Sequence, residues 1–366
     1  MKLKLKRDDL LIPVQQVIGA VEKRQTLPAL SNILIRAGDN ELALTATDLE
    51  IELVSRNQVM VDEPGEITLP AKKLFDICKS LPADADIQLE VDDNRALVKS
   101  GRNRFTLSTL PATDFPSLDA VSSVYEFSVS QSILKKLIDK TGFAMAQQDV
   151  RYYLNGLMME VSSGIIRAVA TDGHRLAYCE NPIDTDVADS KQVIVPRKGV
   201  VELQRLIDDV DEPVKIILGS NHIQCEFGQQ RFTSKLIDGR FPDYKRVLPE
   251  AEGNLLVVDK DAFKQALLRA SILSNEKYRG IRIVMESKLI KLEAHNPDQE
   301  EANIELGVDY QGDQMEVGFN VNYMLDVLNS SDDDMVQCYI RDANSSCLMI
   351  FPEHPESRYV IMPMRL

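Results

Sequence analysis

With 366 residues, 44% of them hydrophobic and 27% charged, the chain has room for two to four domains and the make-up of an ordinary soluble globular protein. No apolar run reaches the roughly 18–20 residues that span a bilayer, and the N-terminal MKLKLKRDDL alternates polar with apolar where a signal peptide would be continuously apolar, so a cytoplasmic protein with no membrane partner is expected. A net charge of −15 argues against a basic nucleic-acid binder, and five cysteines without a C-x-x-C pair and four dispersed histidines argue for reduced thiols and against a zinc site.

Asp8 and Asp9 precede Leu10, Val14, Val17, Ile18 and Val21, which share one face of a 3.6-residue period and predict a capped helix. Asn32 to Val54 then alternates around a Gly38-Asp39-Asn40 turn, the pattern of antiparallel hairpins. Within it, Asp48, Glu50 and Glu52 are expected on one solvated strand face. A second helix starts near Pro70, and Ser100 to Phe105 is a basic turn feeding a strand. The plan recurs. Ser130 precedes Ile133, Leu134, Leu137 and Ile138, and hairpins follow from Leu154 to Cys179 with turns at Ser163-Gly164 and Asp172-Gly173. A helix near Pro196 comes next. In the last third, Asp259 or Asp261 precedes Phe263, Ala266, Leu267 and Ala270, strands run from Gly280 to Leu306, and a helix starts near Asn320. An α+β protein with about six helices is predicted.

The thirds are also related residue by residue. FTLSTLPATDFP starts at Phe105 and FTSKLIDGRFPDY at Phe232, 127 positions later. TLPAKKLFDI and IVPRKGVVEL, around Pro70 and Pro196, are 126 apart, and GFNVNYMLDV, around Asn320, follows after 124 more. A spacing that holds at independent places marks repeated domains, here 1–120, 126–249 and 253–366, joined by the short polar stretches Pro116–Ser123 and Pro249–Gly253. Triplication points to a ring segment or an array rather than one active-site cleft.

Charge is distributed unevenly over this plan. The six helix windows together carry +4, which leaves −19 for everything else. The cations concerned include Lys72, Lys73, Lys79, Lys135, Lys136, Lys140, Arg197, Lys198, Arg205, Lys264 and Arg269. On any single helix these describe a solvated outer face. If the helices share one side, an acidic protein presents a weakly basic surface that follows phosphates without reading bases and loses affinity with salt.

Asp172 and His174, with Cys179 as nucleophile, are the segment most like an active site, but an Asp-Gly hairpin turn accounts for them without catalysis. No phosphate-binding or dinucleotide glycine motif is present, so no cofactor is expected. The C-terminal Tyr359–Leu366 stays apolar to its end, with Pro363 interrupting it. It reads either as a terminal core strand or as the wall of an apolar groove.

QDVRYYLNG (from Gln148), ATDGHRLA (from Ala170), VPRKGV (from Val195), DGRFPDYKRVLP (from Asp238), ILSNEKYRG (from Ile272), GFNVNYMLDVLN (from Gly318) and the terminal MPMRL resemble the β subunits of bacterial DNA polymerase III, the sliding-clamp family, over the whole chain. Only Asp342 to Ser357 departs from the familiar pattern. The resemblance implies a head-to-tail homodimer, a closed ring of six similar domains of the DNA-clamp type. Its helices line a hole that passes double-stranded DNA without sequence specificity. It further implies a processivity factor with no catalytic residues, metal or cofactor. Partners would be the replicative polymerase subunit, the clamp loader and other proteins carrying clamp-binding peptides. By the same resemblance, the peptide groove maps to Arg151, Leu154, Thr171, Gly173, His174, Arg175, Leu176, Pro242, Arg246, Val247, Tyr323, Ser346, Val360, Met362, Pro363, Met364, Arg365 and Leu366. DNA contacts map to Arg24 and Gln148, beside the helix cations Lys72, Lys73, Lys79, Lys136, Arg197, Lys198 and Arg205. Phe105, Leu107, Ile272 and Leu273 map to the subunit interface. The alternatives are a peptide-binding scaffold that never meets DNA, and a repeat-built enzyme around Asp172 and His174.

Overall fold

The computed structural model describes residues 1–366 except 23–26, 93, 119–120, 186–188 and 366. Among them are six α-helices: α1 (Arg7–Val17), α2 (Ala71–Ser80), α3 (Gln131–Thr141), α4 (Arg197–Leu206), α5 (Lys260–Ser271) and α6 (Val321–Leu328). Short side chains fix several starts. Asp9 reaches back to the Lys6 N–H at 3.1 Å, Asp259 accepts Ala262 N–H at 2.7 Å, and Asn320 accepts Asn322 N–H at 2.9 Å. α1 buries Leu10, Val14 and Val17 as the period predicts, but it ends at Val17. Ile18–Ala20 tighten into a 3₁₀ turn, and Val21 is already extended. None of the described helices is long and apolar enough to cross a membrane.

The chain divides into two compact units, Met1–Ser132 with Lys198–Leu236, and Ile133–Arg197 with Ile237–Leu366, so the middle third contributes to both. In the first unit an eight-stranded antiparallel sheet runs through Tyr125–Ser130, Pro213–Leu218, His222–Phe227 and Gln230–Lys235. It continues into Ile51–Gln58, Glu41–Thr47, Asn32–Gly38 and Gly65–Pro70. The join pairs Phe232 with Leu53 and Ser234 with Ile51. A five-stranded sheet in the same unit ends at Asn103–Ser108, which has no neighbour on one side among the described strands.

The second unit repeats this design. Its nine-stranded sheet runs Lys191–Pro196, Gly156–Ser162, Ile165–Thr171, Arg175–Pro182, then Ser357–Ile361, Cys347–Ile350, Met335–Ile340, Asn254–Asp259 and Asp309–Tyr310. The join pairs Arg175 with Ile361, Leu176 with Val360 and Ala177 with Tyr359. A four-stranded sheet ends at Glu301–Gly307, again open on one side among the described strands. A core of Met158, Val169, Leu176, Tyr178, Ile194, Phe241, Tyr244, Leu348 and Val360 packs across the nine-stranded sheet.

Gly156, which starts a strand of that sheet, allows close backbone approach: a Cβ there would stand 2.5 Å from Val195 O and 2.8 Å from Ile194 Cγ2. A backbone carbonyl in a sheet cannot step aside cheaply, so Gly156→Ala is expected to destabilise the protein by about 1–3 kcal/mol, read as a lowered urea midpoint with unchanged m-value.

Candidate functional site

The turn Thr171–Arg175 joins two strands of the nine-stranded sheet and is built by its own side chains. Thr171 Oγ1 donates to Arg175 O at 2.6 Å and accepts Gly173 N–H at 3.1 Å. Asp172 Oδ1 accepts the N–H groups of His174 (2.9 Å) and Arg175 (3.0 Å). Gly173 has φ +87°, a left-handed conformation, and a Cβ on it would meet Arg151 Nη2 at 3.0 Å. Arg151 lies over this glycine because Asp149 holds it in a fork, Nε–Oδ1 3.0 Å and Nη2–Oδ2 2.9 Å. Those hydrogen bonds bring the Asp149 pKa down to about 2. A depressed carboxylate contributes above its unfolded pKa and loses that contribution only as pH falls towards about 2, so this part of the rim keeps its charge at neutral pH.

Arg175 does not sit free at the rim as its place in the motif suggests. Its side chain is 11% exposed, and Nε bonds Asp172 Oδ2 at 3.1 Å. Nη1 pairs with Asp326 of α6, and Nη2 donates to Phe143 O at 2.9 Å. The guanidinium lies 4.5 Å from the centroid of the Tyr323 ring and 5.5 Å from that of Phe143. It is a strut joining the turn, α6 and the segment after α3. The geometry also removes the nucleophile reading. Asp172 is committed to the turn and to Arg175, the His174 ring stacks on Tyr323 with centroids 6.5 Å apart, and buried Cys179 has its thiol pKa pushed up by burial.

Beside this turn opens a cavity of about 230 Å³. Ten of the expected groove residues line it: Arg151, Leu154, Thr171, Gly173, Arg175, Leu176, Pro242, Val247, Val360 and Met362. Tyr153, Phe241 and Tyr244 complete the lining and were not expected. Phe241 and Tyr244 are core residues as well, at 6% and 4% exposure. The signal available was the recurrence of Phe-Pro in both Phe-Thr traces, which places Phe241 beside Pro242. His174, Arg246, Tyr323, Ser346, Pro363, Met364 and Arg365 lie outside the lining. Arg246 is 84% exposed and pairs with Asp243 at 3.0 Å. Ser346 precedes the strand Cys347–Ile350, and Met364 N–H bonds Gly318 O at 2.8 Å. Leu366 lies outside the described residues.

The cations divide into free and engaged. Lys72, Lys73 and Lys79 are exposed on α2, with Lys79 5.7 Å from the Phe75 ring centroid. Lys136 pairs with Glu356 at 2.6 Å, and Arg197 Nη1 donates to Met145 O at 3.2 Å. Lys198 pairs with Asp48, and Arg205 holds Glu202 at 2.9 Å and donates to the carbonyls of Gln15 and Gln16. Lys140 is half-buried, which lowers its pKa, and donates to Ser330 O at 2.6 Å. Gln148 is exposed with φ +56°, and Arg24 lies outside the described residues. Of the expected interface residues, Leu107 is 7% exposed and Phe105 half-buried on the open strand Asn103–Ser108. Ile272 is 75% exposed and Leu273 half-buried, just beyond α5.

The first unit contains the same turn. Thr47 Oγ1 bonds Ile51 O at 2.7 Å and Leu49 N–H at 3.1 Å, Asp48 Oδ1 takes the N–H of Glu50 and of Ile51 at 2.8 Å each, and Leu49 has φ +77°. This overturns the expected solvated carboxylate face. Asp48 is 1% exposed and Glu52 7%, the latter bonded to Arg231 at 3.3 Å, and only Glu50 faces water.

Three family models, the N-terminal, central and C-terminal domains of the DNA polymerase III beta subunit, match residues 1–119, 128–243 and 245–365. The chain belongs to the β sliding clamp family. It is 53% identical to the Beta sliding clamp of Pseudomonas putida and 50% identical to that of Escherichia coli K12, over the full length of each. Among solved structures, the DNA polymerase sliding clamp of Pseudomonas aeruginosa superimposes with TM-score 0.96 at 52% identity, covering both chains completely. The same clamp bound to griselimycin superimposes with TM-score 0.97.

The two arginines near the groove should therefore behave differently in this clamp. Arg175→Ala leaves Asp172 and Phe143 O without their buried partner and is expected to cost about 1–3 kcal/mol. Arg246→Ala removes an exposed pair and should change stability by less than about 0.5 kcal/mol. Urea unfolding of both variants measures the contrast.

Proposed function

We propose that this sliding clamp closes as a head-to-tail pair of identical chains around duplex DNA, and that the cavity beside Thr171–Arg175 takes the linear peptides by which the replicative polymerase, the clamp loader and other DNA-processing proteins attach. The chain then works as three domains, 1–120, 126–249 and 253–366. It acts by topology and tethering, as an accessory subunit with no bond-making chemistry of its own.

The observation that carries the closure is that two of the sheet-end strands, Asn103–Ser108 and Glu301–Gly307, hold the repeat positions of the strands that pair across thirds inside the chain. Inside the chain, Phe232 faces Leu53 and Tyr359 faces Ala177. Phe105 holds the place of Phe232 in the repeat. The strands before the turn pair Thr47 with Glu52, Thr171 with Leu176, and His295 with Glu301. Ala302 therefore stands where Leu53 and Ala177 do. Extending the same register to a second copy sets Phe105 opposite Ala302. It buries the half-covered Phe105, Ala302, Ile304 and Leu306 and brings exposed Arg102 and Arg104 against exposed Glu301 and Glu305. Ile272 and Leu273 supply an apolar patch beyond α5.

Lys72, Lys73 and Lys79 on α2 offer charge without base-reading geometry, and the engaged cations can reach phosphates only by exchanging partners. Binding to short linear duplex should accordingly be weak and salt-sensitive, whereas a ring already closed on circular DNA should persist at salt that abolishes the former. The deciding experiment loads the protein on nicked circular DNA and then linearises it. Release on linearisation is expected, and retention would favour a simple surface binder. Replacing both Ile272 and Leu273 with Ala should remove about 2–5 kcal/mol per fully buried site and yield monomer in light scattering at micromolar concentration. An unchanged dimer would count against this interface.

For the groove, leucine and phenylalanine anchors on a peptide would each gain about 1.5–3 kcal/mol by burial, offset by ordering the peptide, so micromolar affinity is expected. Deleting 362–366 should abolish binding of a Gln-x-x-Leu-x-Phe peptide in calorimetry while the dimer persists in sedimentation. Affinity within twofold of the parent would sink the assignment.

A further inference from the structure

We propose that Glu160, buried on the strand Gly156–Ser162, is a positioning residue that holds one wall of the groove through the hydroxyl of Tyr244 and thereby sets peptide affinity; the inference rests on the cavity being the peptide site.

The two walls are attached differently. Thr171, Arg175, Leu176 and Val360 belong to sheet strands or to the turn between them, and their backbones are paired on the ladder. The opposite wall, Phe241 to Val247, is not in the sheet. The chain leaves the sheet after Ile237, whose N–H bonds Ile194 O at 2.9 Å. Among the described residues, the backbone hydrogen bonds of 238–249 are local: Arg246 to Asp243, and Val247 and Leu248 to Tyr244. Apolar burial of Phe241 and Tyr244 holds this wall against the core but has no preferred direction. The directional tie from the wall to the sheet is Tyr244 Oη, which donates to Glu160 Oε2 at 3.5 Å.

Glu160 is suited to this task. It lies on the strand Gly156–Ser162, with its side chain 3% exposed. Arg167 Nη1 holds Oε1 at 2.8 Å, and Gln192 donates to Oε2 from the neighbouring strand. Arg167 is in turn fixed by Glu180 at 3.0 Å and Ser162 at 3.1 Å. The acceptor is thus held by Arg167 and Gln192, while the donor sits on the wall without ladder pairing. At 3.5 Å the contact is longer than an ordinary hydroxyl-to-carboxylate bond, which is well under 3 Å. Burial pushes the Tyr244 phenol up to about 12, with Glu160 adding to the shift, so the hydroxyl keeps its proton across the physiological range.

Tyr178 provides an internal control. Its ring lies 5.8 Å from that of Tyr244, and its hydroxyl donates to Glu180 and accepts Arg167 Nε at 3.3 Å on the same polar network. Tyr178, however, sits on Arg175–Pro182, paired on both sides, and its hydroxyl ties down no wall. Tyr244→Phe and Tyr178→Phe each remove one oxygen and keep the ring. We would titrate both full-length variants and the parent with a fluorescein-labelled hexapeptide, Gln-Ala-Ser-Leu-Ser-Phe, by anisotropy, and follow amide exchange at Val247 and Leu248. Tyr244→Phe should bind about five- to tenfold more weakly, the worth of one ordinary side-chain hydrogen bond, with faster exchange at those two amides. Tyr178→Phe should bind within twofold of the parent although its melting temperature falls comparably. Equal affinity of Tyr244→Phe and the parent, or equal weakening in both variants, overturns the proposal. Absence of binding to the parent overturns the groove reading itself, and the positioning role with it.

Discussion

Everything that distinguishes this molecule from a string of repeats depends on one backbone interaction: the antiparallel pairing of the strand after each Thr-Asp turn with the closing strand of the next third. Ile51–Gln58 takes Gln230–Lys235, and Arg175–Pro182 takes Ser357–Ile361. Each pairing merges sheets from two thirds into one, so the middle third is shared between the two compact units. The second pairing also makes the cavity, because it sets Val360 beside Leu176 and brings Met362 N–H onto His174 O at 2.9 Å. An apolar C-terminus would otherwise be an exposed liability. Here it becomes one side of a pocket.

The two turns separate what the backbone requires from what the site requires. Thr and Asp supply the hydroxyl and carboxylate that close the turn in both units, and both place a residue at positive φ. In the second unit that residue is Gly173, which leaves room for Arg151, and the strands behind it present Leu176 and Val360. In the first unit it is Leu49, and the corresponding places hold Glu52, buried against Arg231, and Thr233. The same local geometry thus yields an apolar pocket wall in one case and a buried polar contact in the other. The backbone repeats; the chemistry does not.

This division also explains what could be read beforehand. Helix starts, the alternation of the hairpins and the repeat spacing are local properties of neighbouring residues, and the six helices and most strands follow from them. Residues of the sliding-clamp motifs that line the cavity were legible because the motifs are long. The roles of Arg175, Lys198 and Arg205 were not. Each is decided by a partner distant in the chain, Asp326, Asp48 and the Gln15 and Gln16 carbonyls respectively, and no window of sequence contains both ends of such a pair. Tyr244 escaped for a related reason: a buried aromatic reads as core whether or not one of its faces borders a cavity. Asp48 and Glu52 show the opposite error, since period-two carboxylates look solvated until the turn and Arg231 claim them.

The charges on these two edges have a further consequence for which strands can pair with them. Each edge carries charge of a single sign on its exposed face, arginine on Asn103–Ser108 and glutamate on Glu301–Gly307. Backbone hydrogen bonding alone does not discriminate, and an unpaired strand will accept any other strand. Like charges set directly across from one another oppose the pairing of an edge with a second copy of itself. Self-stacking, the route by which exposed strands seed aggregates, is therefore disfavoured at both ends without any chaperoning segment. The charge pattern favours pairing of each edge with a strand of opposite charge over pairing with a copy of itself.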